Sequence, residues 1–345
     1  MIELASVVEK TRLIDPAGKP MEQVIEHRTD PLTGAIASIN GALGEKAKAF
    51  LGTADLDLLR DLEEKSRAAC PFCSAAEKGT RFPPDFAPEG QIRVGTSIAM
   101  PNLFSKCTFD SVVIIDAARH VLFPSRIDPS AIADAIRASV QVVRRARAHD
   151  PALVHHVAGM NFLAPGGSSV PHPHLQVHVR SVPYSGVARL LRDSEAHLER
   201  TGVSFWETLL AEERQRGSRF VGGTGAVQWI AAWAPAHQKE IWGVLPGTAS
   251  LADLSDEGAT DFGAGIARVI SFYEELGSHP FTFAFFSSPQ RTRAFALHVK
   301  LCARPAFRPM YSNYDTWFTP KLIGDDVHTE APEQYAARLK ARWSS

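Results

Sequence analysis

Five polar side chains occupy alternate positions in the stretch SVPHPHLQVHVR, which runs from residue 169 to residue 180. They are His172, His174, Gln176, His178 and Arg180. Because successive side chains of a β-strand point to opposite faces, all five would line one face, and Leu175, Val177 and Val179 would point toward a core. Pro173 has no N–H for a ladder, so this end of the strand is expected at a sheet edge or just outside the sheet. The alternative is a histidine-rich strand that faces solvent, and the strict alternation favours a functional face.

A histidine can act as a nucleophile when one ring nitrogen is held by a hydrogen bond and the other points at an electrophile. Attack on phosphorus would give a phosphohistidine and divide one difficult displacement into two easier ones. The segment APGGSS, directly before the strand, has the composition of a phosphate-binding loop. Gly166 and Gly167 permit close approach of the backbone. Ser168 and Ser169 offer hydroxyl and amide donors, and Gln176 can donate an amide N–H from the same face.

The four cysteines include a close pair, Cys70 and Cys73, in the sequence CPFC. In a reducing compartment a disulfide is not expected, which leaves half of a metal site or a redox pair. A thioredoxin-like redox pair would follow a strand and open a helix. Here the pair follows the charged helical stretch LDLLRDLEEKSRAA and precedes a loop-like segment, so the context favours a metal site.

The composition is that of a soluble protein with about two domains, since the chain has 345 residues, of which 45% are hydrophobic and 22% charged. The 37 Lys and Arg residues nearly balance the 38 Asp and Glu residues, so no broad basic face and no nucleic-acid partner are expected. No run of about twenty apolar residues predicts a membrane span. The N-terminus carries charges where a signal peptide needs an apolar core, and we therefore expect a cytoplasmic protein.

The order of elements predicted between residues 97 and 183 recurs after residue 225. In the first copy a β-rich run, DSVVIIDAARHVLFP, precedes a helix that Asp128 caps and Pro129 opens. Two strands follow, and the glycine loop lies between them. The second copy repeats strand, helix capped by Ser255, and two strands. This repeat predicts an α+β fold of two tandem domains, each a mostly antiparallel sheet with a helix packed on one face.

We place the N-terminal catalytic domain at residues 1–185, a helical connection at 186–224 and a degenerate C-terminal domain at 225–345. Where the first copy has its cluster of functional side chains, the second copy keeps only His298. The sequence therefore predicts a functional first half and a structural second half.

The motifs CPFC, GGSSVPHPHLQ and DPLTG (residues 30–34), together with the duplicated half, resemble the galactose-1-phosphate uridylyltransferase family. This family is the transferase branch of the histidine-triad superfamily, and the resemblance extends from about residue 28 to the C-terminus. Gln176 stands where hydrolases of the superfamily have a third histidine. The resemblance implies transfer of a nucleoside monophosphate, UMP in the first place, between a nucleotide sugar and a sugar 1-phosphate. It also implies a homodimer.

The resemblance implies a role for each matching residue. His174 would be the nucleophile, with Gln176 and Ser169 holding its phosphate. Asn161 matches a phosphate-binding asparagine, and Arg28 matches a phosphate contact. Asn102 matches a nucleoside-binding segment in which Leu103 here replaces an acidic residue. The implied substrate-binding set is Arg28, Asn102, Asn161, Gly167, Ser168, Ser169 and Gln176.

The resemblance also implies a structural zinc ion held by Cys70, Cys73, His120 and His172, a ligand set that suits tetrahedral zinc. For His120 the alternative is an ordinary histidine at a strand end. A second, iron-binding site of the family keeps only His298, so no iron is predicted. Three alternative functions remain. They are a phosphorylase of nucleotide sugars or dinucleoside polyphosphates, a hydrolase, and a zinc-stabilised nucleotide-binding protein without turnover.

Overall fold

The computed structural model describes residues 2–44, 52–310 and 317–343. Its strands are β1 (Ser6–Ile14), β2 (Pro20–Thr29), β3 (Ile36–Ile39), β4 (Ile92–Val94), β5 (Ser97–Pro101), β6 (Phe109–Ile114), β7 (His155–Phe162), β8 (His174–Arg180), β9 (Phe220–Thr224), β10 (Val227–Ala231), β11 (Ile241–Leu245), β12 (Phe281–Phe286), β13 (Leu297–Ala303) and β14 (Asp326–His328). Its α-helices are α1 (Leu56–Ala68), α2 (Ala75–Lys78), α3 (Pro129–His149), α4 (Ser185–Thr201), α5 (Phe205–Arg216), α6 (Asp256–Glu275) and α7 (Pro332–Trp343). Short 3₁₀ turns span Pro124–Arg126, Ala164–Gly166 and Leu251–Asp253, and a π turn spans Thr319–Ile323.

Ten strands form one antiparallel sheet in the order β4-β5-β6-β8-β7-β12-β13-β11-β10-β9. Each half contributes five strands in the same relative order, and pairing of β7 with β12 joins the halves. A small second sheet has the order β1-β2-β3-β14, in which β14 runs parallel to β3. The predicted α+β class with a duplicated, mostly antiparallel domain is confirmed. The domain boundaries at 185 and 224 stay a prediction.

The duplication extends to the register of the strands. In the first half His174 pairs with Ile114, and Gln176 pairs with Gly159. In the second half His298 pairs with Val244, and Lys300 pairs with Ala284. Because Gly159 and Ala284 pair with each other across the centre of the sheet, the two halves are related by an approximate two-fold axis there. His174 then corresponds to His298, and Gln176 corresponds to Lys300.

Helices α3 and α6 cover one face of the large sheet, and each begins as the sequence predicts. The side chain of Asp128 accepts a hydrogen bond from the Ser130 N–H at the start of α3, and Ser255 caps α6 in the same way. The two helices cross in close contact at Gly263, where an added Cβ would lie 2.8 Å from the carbonyl oxygen of Pro129. A glycine is therefore needed at this crossing.

Two features of the fold differ from the sequence-based expectation. Strand β6 ends at Ile114, so the second part of the predicted β-rich run is a loop that contains His120. The N-terminal residues form the long hairpin of β1 and β2, which has no counterpart in the predicted repeat. Of the described helices, none combines the length and the apolar character needed to cross a membrane.

Candidate active site

Strand β8 has the two-faced pattern that the sequence predicts. Leu175, Val177 and Val179 are fully buried in the main core beneath α3 and α6. His174 and Gln176 lie on the opposite face, and His172 comes just before the strand. The carbonyl of Pro173 still accepts a hydrogen bond from the Ile115 N–H, so the chain stays attached to β6 while its proline lies outside the strand.

A backbone hydrogen bond to His172 holds the imidazole of His174 in one orientation. Its Nδ1–H donates to the carbonyl oxygen of His172 at 2.7 Å, which leaves Nε2 as the nitrogen with a free lone pair. The ring of Phe72 packs edge-on against it, with ring centroids 4.9 Å apart. Burial lowers the pKa of His174, although the backbone hydrogen bond opposes the shift. The residue is therefore a neutral imidazole with Nε2 available.

Cys70, Cys73, His120 and His172 come together beside His174, with one potential ligand atom each and all four atoms within 4.8 Å of one another. Nδ1 of His172 lies 3.5 Å from each of the two sulfur atoms and 3.2 Å from Nδ1 of His120. A tetrahedral zinc ion with ordinary bond lengths would separate its ligands by about 3.6 Å for sulfur to nitrogen and about 3.3 Å for nitrogen to nitrogen. These spacings fit a four-coordinate metal ion.

Hydrogen bonds outside the cluster turn both histidines toward its centre. Nε2–H of His172 donates to the carbonyl of Asp116 at 2.9 Å. Nε2 of His120 lies 2.8 Å from the hydroxyl of Ser66 at the end of α1. Each histidine therefore presents Nδ1 to the centre, which is the usual arrangement of metal-binding histidines supported by a second hydrogen bond.

Before a metal ion binds, the thiol of Cys73 is protonated and the imidazole of His172 is neutral. In the absence of a cation, burial and the neighbouring Cys70 raise the pKa of Cys73 to about 11. Burial lowers the pKa of His172 to about 4, so this imidazole is already neutral at pH 7. A metal ion would find two ready imidazole ligands and would release protons from the thiols as it binds.

The glycine loop lies between β7 and β8, against β12 of the other half. It starts at Leu163, whose φ of 60° and ψ of 169° fall in a region that residues other than glycine rarely adopt. The carbonyl of Gly166 accepts from the hydroxyl of Thr282 at 3.2 Å. A Cβ added at Gly167 would lie 3.9 Å from the amide carbon of Asn161, so the loop and Asn161 are neighbours. The hydroxyl of Ser168 donates to the Val170 carbonyl.

Asn102 lies near the end of β8 that carries His178. It follows β5, and its backbone pairs with Asp110, which itself faces His178 on β8. Its amide donates to the Asp110 carboxylate at 3.1 Å. The hairpin tip beyond it exposes Leu103 and Phe104, with 73% and 81% of their surfaces accessible.

Arg28 is engaged in a buried ion network. Its guanidinium contacts both carboxylate oxygens of Glu333 on α7 and one of Glu26, and it stacks on Trp233. Arg219 contacts Glu333 from the other side. None of these residues belongs to the candidate metal cluster or to the glycine loop. The phosphate contact implied for Arg28 stays a prediction.

No family model matches the chain. An uncharacterized protein from Archaeoglobus fulgidus is 28% identical over an alignment of 347 residues, which covers 99% of both chains. Among solved structures, the ADP-glucose phosphorylase from Arabidopsis thaliana with bound ADP-glucose has a TM-score of 0.69 at 17% identity and covers 92% of this chain and 98% of its own. A GalT-like protein from Arabidopsis thaliana has a TM-score of 0.68 at 18% identity and covers 91% and 98%. A uridylyltransferase mutant has a TM-score of 0.65 at 17% identity and covers 91% and 97%.

The chain has the uridylyltransferase fold. The resemblance carried by the HPHLQ, CPFC and DPLTG motifs is thereby confirmed at the level of the fold. The roles of individual residues stay predictions.

Within this fold, the second-half counterpart of His174 is enclosed. His298 makes the same backbone hydrogen bond, from Nδ1–H to the Ala296 carbonyl at 2.8 Å. Its ring is fully buried and stacks on Trp206 and Phe286, with centroids 4.2 and 5.0 Å away. Trp206 on helix α5 thus covers His298 completely, whereas His174 keeps 8% of its surface accessible.

Sequence reasoning missed the residues that support the cluster. Phe72, Ser66 and the carbonyl of Asp116 have no motif of their own, because their role depends on where the chain folds. Phe72 lies between the two cysteines of CPFC, and this spacing was the only available signal.

Proposed function

We propose that the protein is a nucleotidyltransferase that uses His174 as a covalent nucleophile. The observation that carries the proposal is the double role of His172. Its side chain belongs to the candidate metal cluster, and its carbonyl accepts the Nδ1–H of His174 at 2.7 Å. Nε2 of His174 is thereby left as the free ring nitrogen, on the same face of β8 as Gln176.

In the proposed first step Nε2 attacks the α-phosphorus of a nucleotide sugar. A phosphorus–nitrogen bond forms, the bond from this phosphorus to the bridging oxygen breaks, and a sugar 1-phosphate leaves. The attacking nitrogen carries no proton, so the step requires no base. The hydrogen bond from Nδ1 stabilises the positive charge that develops on the ring. In the second step a phosphate oxygen of the acceptor attacks the same phosphorus, and the nitrogen leaves.

The groups around His174 suit this chemistry by position. Gln176 and the donors of Ser169 would hold the phosphate oxygens, and Asn161 would contact them across the loop. Asn102 would meet the nucleoside near the His178 end of β8. The gain over the uncatalysed reaction comes from alignment and from fixed donors rather than from proton transfer.

We further propose that zinc occupies the Cys70, Cys73, His120 and His172 cluster with a structural role. Two thiolates and two imidazoles in tetrahedral spacing are a preferred zinc set, and a closed set of four leaves no position for substrate. When bound, the ion fixes His172 and therefore the carbonyl to which His174 donates.

A phosphorylase is the second candidate, because Leu103 replaces the acidic residue of the uridylyltransferase motif. Related adenylyl-transferring proteins lack that acid as well, and the Arabidopsis ADP-glucose phosphorylase has the same fold. Such an enzyme would form the same covalent intermediate and pass the nucleotidyl group to inorganic phosphate. The homodimer and the cytoplasmic location stay predictions, and sedimentation and cell fractionation would test them.

The test is intact mass spectrometry under non-acidic conditions, after brief incubation with UDP-glucose, UDP-galactose, ADP-glucose or a dinucleoside polyphosphate. We expect a uridylyl or adenylyl mass increase on the wild type and none on His174→Ala. His178→Gln, on the same strand face, is the matched control and should keep the adduct. Adding inorganic phosphate or a sugar 1-phosphate to the adduct then separates phosphorylase from transferase. An adduct on His174→Ala, or nucleotide bound without any adduct in metal-replete protein, would reject the mechanism.

A further inference from the structure

The second half contains a cavity of about 430 Å³ on the same sheet face as His174. The side chains of β12 and β13 on this face, among them Thr282 and Lys300, form its floor, and the DPLTG loop and the start of α4 form its walls. This volume lies in the range of small-molecule sites. Three strand spacings of about 4.8 Å separate β8 from β13, so Lys300 lies about 14 Å from Gln176 along the sheet. On its β12 side the cavity reaches the glycine loop, where the Thr282 hydroxyl donates to the Gly166 carbonyl.

More cationic than anionic side chains line the cavity. Lys300, Arg189 and Arg304 contribute three cations, against the two carboxylates of Asp30 and Glu240. In the described part of the chain, neither the Lys300 ammonium nor the Arg189 guanidinium forms an ion pair with a carboxylate. The Lys300 nitrogen instead lies 4.0 Å from the ring centre of Trp242 and 5.0 Å from that of Phe286.

Both carboxylates are already occupied by internal donors. One oxygen of Asp30 accepts from the Leu32 and Thr33 N–H groups and from the Thr33 hydroxyl, at 3.1, 2.7 and 2.8 Å. One oxygen of Glu240 accepts from the Ala236 and His237 N–H groups, and the other accepts from the Trp242 indole. Neutral donors hold both acids in their own loops, and in the described residues neither acid forms an ion pair with Lys300 or Arg189.

We propose that this cavity binds a small phosphorylated molecule. Lys300 and Arg189 would hold its phosphate, since cationic side chains make the strongest hydrogen bonds to phosphate oxygens. The rings of Trp206, Trp242 and Phe286 would give its remaining atoms a flat apolar surface. The register of the sheet supports a binding role at this position, because Lys300 is the two-fold counterpart of Gln176.

This proposal differs from the predicted division into a functional first half and a structural second half. In the second half Trp206 covers the histidine, and a lysine stands two residues further along the same strand face. The proposal goes beyond nucleotidyl transfer and does not depend on it.

The experiment is a binding titration of the metal-loaded wild-type protein with glucose 1-phosphate, inorganic phosphate and glucose. Calorimetry gives the affinity, and a change in the total tryptophan fluorescence, to which Trp206 and Trp242 contribute, is the second readout. We expect glucose 1-phosphate to bind and glucose not to bind at the same concentrations. Tighter binding of the sugar phosphate than of inorganic phosphate supports a phosphate monoester as the ligand. Equal affinities support the anion site and identify inorganic phosphate as its source.

Variants separate this site from the nucleotidyl site. Lys300→Met and Arg189→Ala should each weaken binding about tenfold or more, because each removes a charged hydrogen-bond donor. Arg189 is exposed on α4, so its replacement does not threaten the fold. His174→Ala and the exposed-lysine control Lys321→Ala should bind as the wild type does. Wild-type affinity in both Lys300→Met and Arg189→Ala, or no binding to the wild type at millimolar concentration, would overturn the proposal.

Discussion

His172 joins two parts of the candidate site through one residue. Its side chain faces the two cysteines, and its backbone carbonyl fixes the imidazole of His174. Pro173 between them restricts the backbone to a narrow range of φ. The orientation of His174 therefore depends on the cluster, although the two are chemically separate. Under the proposed function, a metal ion at the cluster would therefore act on the reaction only through the position of His174.

His156 should make stability depend on pH in the acid range. The residue is 2% exposed in β7, donates from Nδ1 to the Val154 carbonyl and lies 2.8 Å from the Ser287 hydroxyl. Burial lowers its pKa to about 4, whereas an unfolded chain binds this proton near pH 6.5. The unfolded state therefore carries more protons between these values. The free energy of unfolding should fall as the pH decreases from about 6.5 to 4, by at most about 1.4 kcal/mol per pH unit from this group.

We expect His156→Gln to reduce this slope, measured by urea unfolding at pH 7 and pH 5. His155→Gln is the matched control, because His155 is the neighbouring residue and is only partly buried. The variants and the wild type share any acid-dependent loss of metal. An unchanged slope in His156→Gln would contradict the prediction.

At the scale of elements, the sequence predicts those features that depend on neighbouring residues in the chain. The alternation of β8 follows from its own residues, and the start of α3 follows from the Asp128–Pro129 pair. The early end of β6 could not be predicted in the same way. Residues 115–123 leave the sheet because Asp116 and His120 are used by the cluster, whose other members lie about fifty residues away on either side. The burial of Arg28 depends similarly on Glu333, 305 residues further along the chain.

The glycine loop offers a prediction at this scale, because it packs closely on β12. A Cβ at Gly166 would lie 2.8 Å from the carbonyl oxygen of Phe281, a distance at which one of the two backbones must shift. Gly166→Ala should therefore destabilise the protein by about 1–3 kcal/mol and slow adduct formation. Gly186→Ala is the control, since nothing lies within 4 Å of its added Cβ. Equal unfolding free energies for the two variants would show that the loop does not depend on this contact.

At the scale of the whole molecule, the two halves share one fold but carry different side chains at corresponding positions. The register places His298 and Lys300 where the first half has His174 and Gln176. The order of elements predicted this repeat from the sequence. It could not predict that Trp206 covers His298, because a helix between the two halves supplies that ring and the contact spans 92 residues. The complete burial of His298 is therefore a consequence of helix packing rather than of the strand.

Removal of the metal tests how helix α1 is attached to the large sheet. Cys70 and Cys73 follow α1, whereas His120 and His172 lie in loops of the large sheet, so a bound ion would tie α1 to that sheet. Cys70→Ser should lose the stoichiometric metal measured by mass spectrometry, lower the Tm by several degrees and expose residues 56–68 to proteolysis, because three ligands no longer complete the set. Cys107→Ser, at a thiol outside the cluster, should keep the metal and the Tm. Full metal content in Cys70→Ser, or equal losses in both variants, would show that the cluster does not hold this segment.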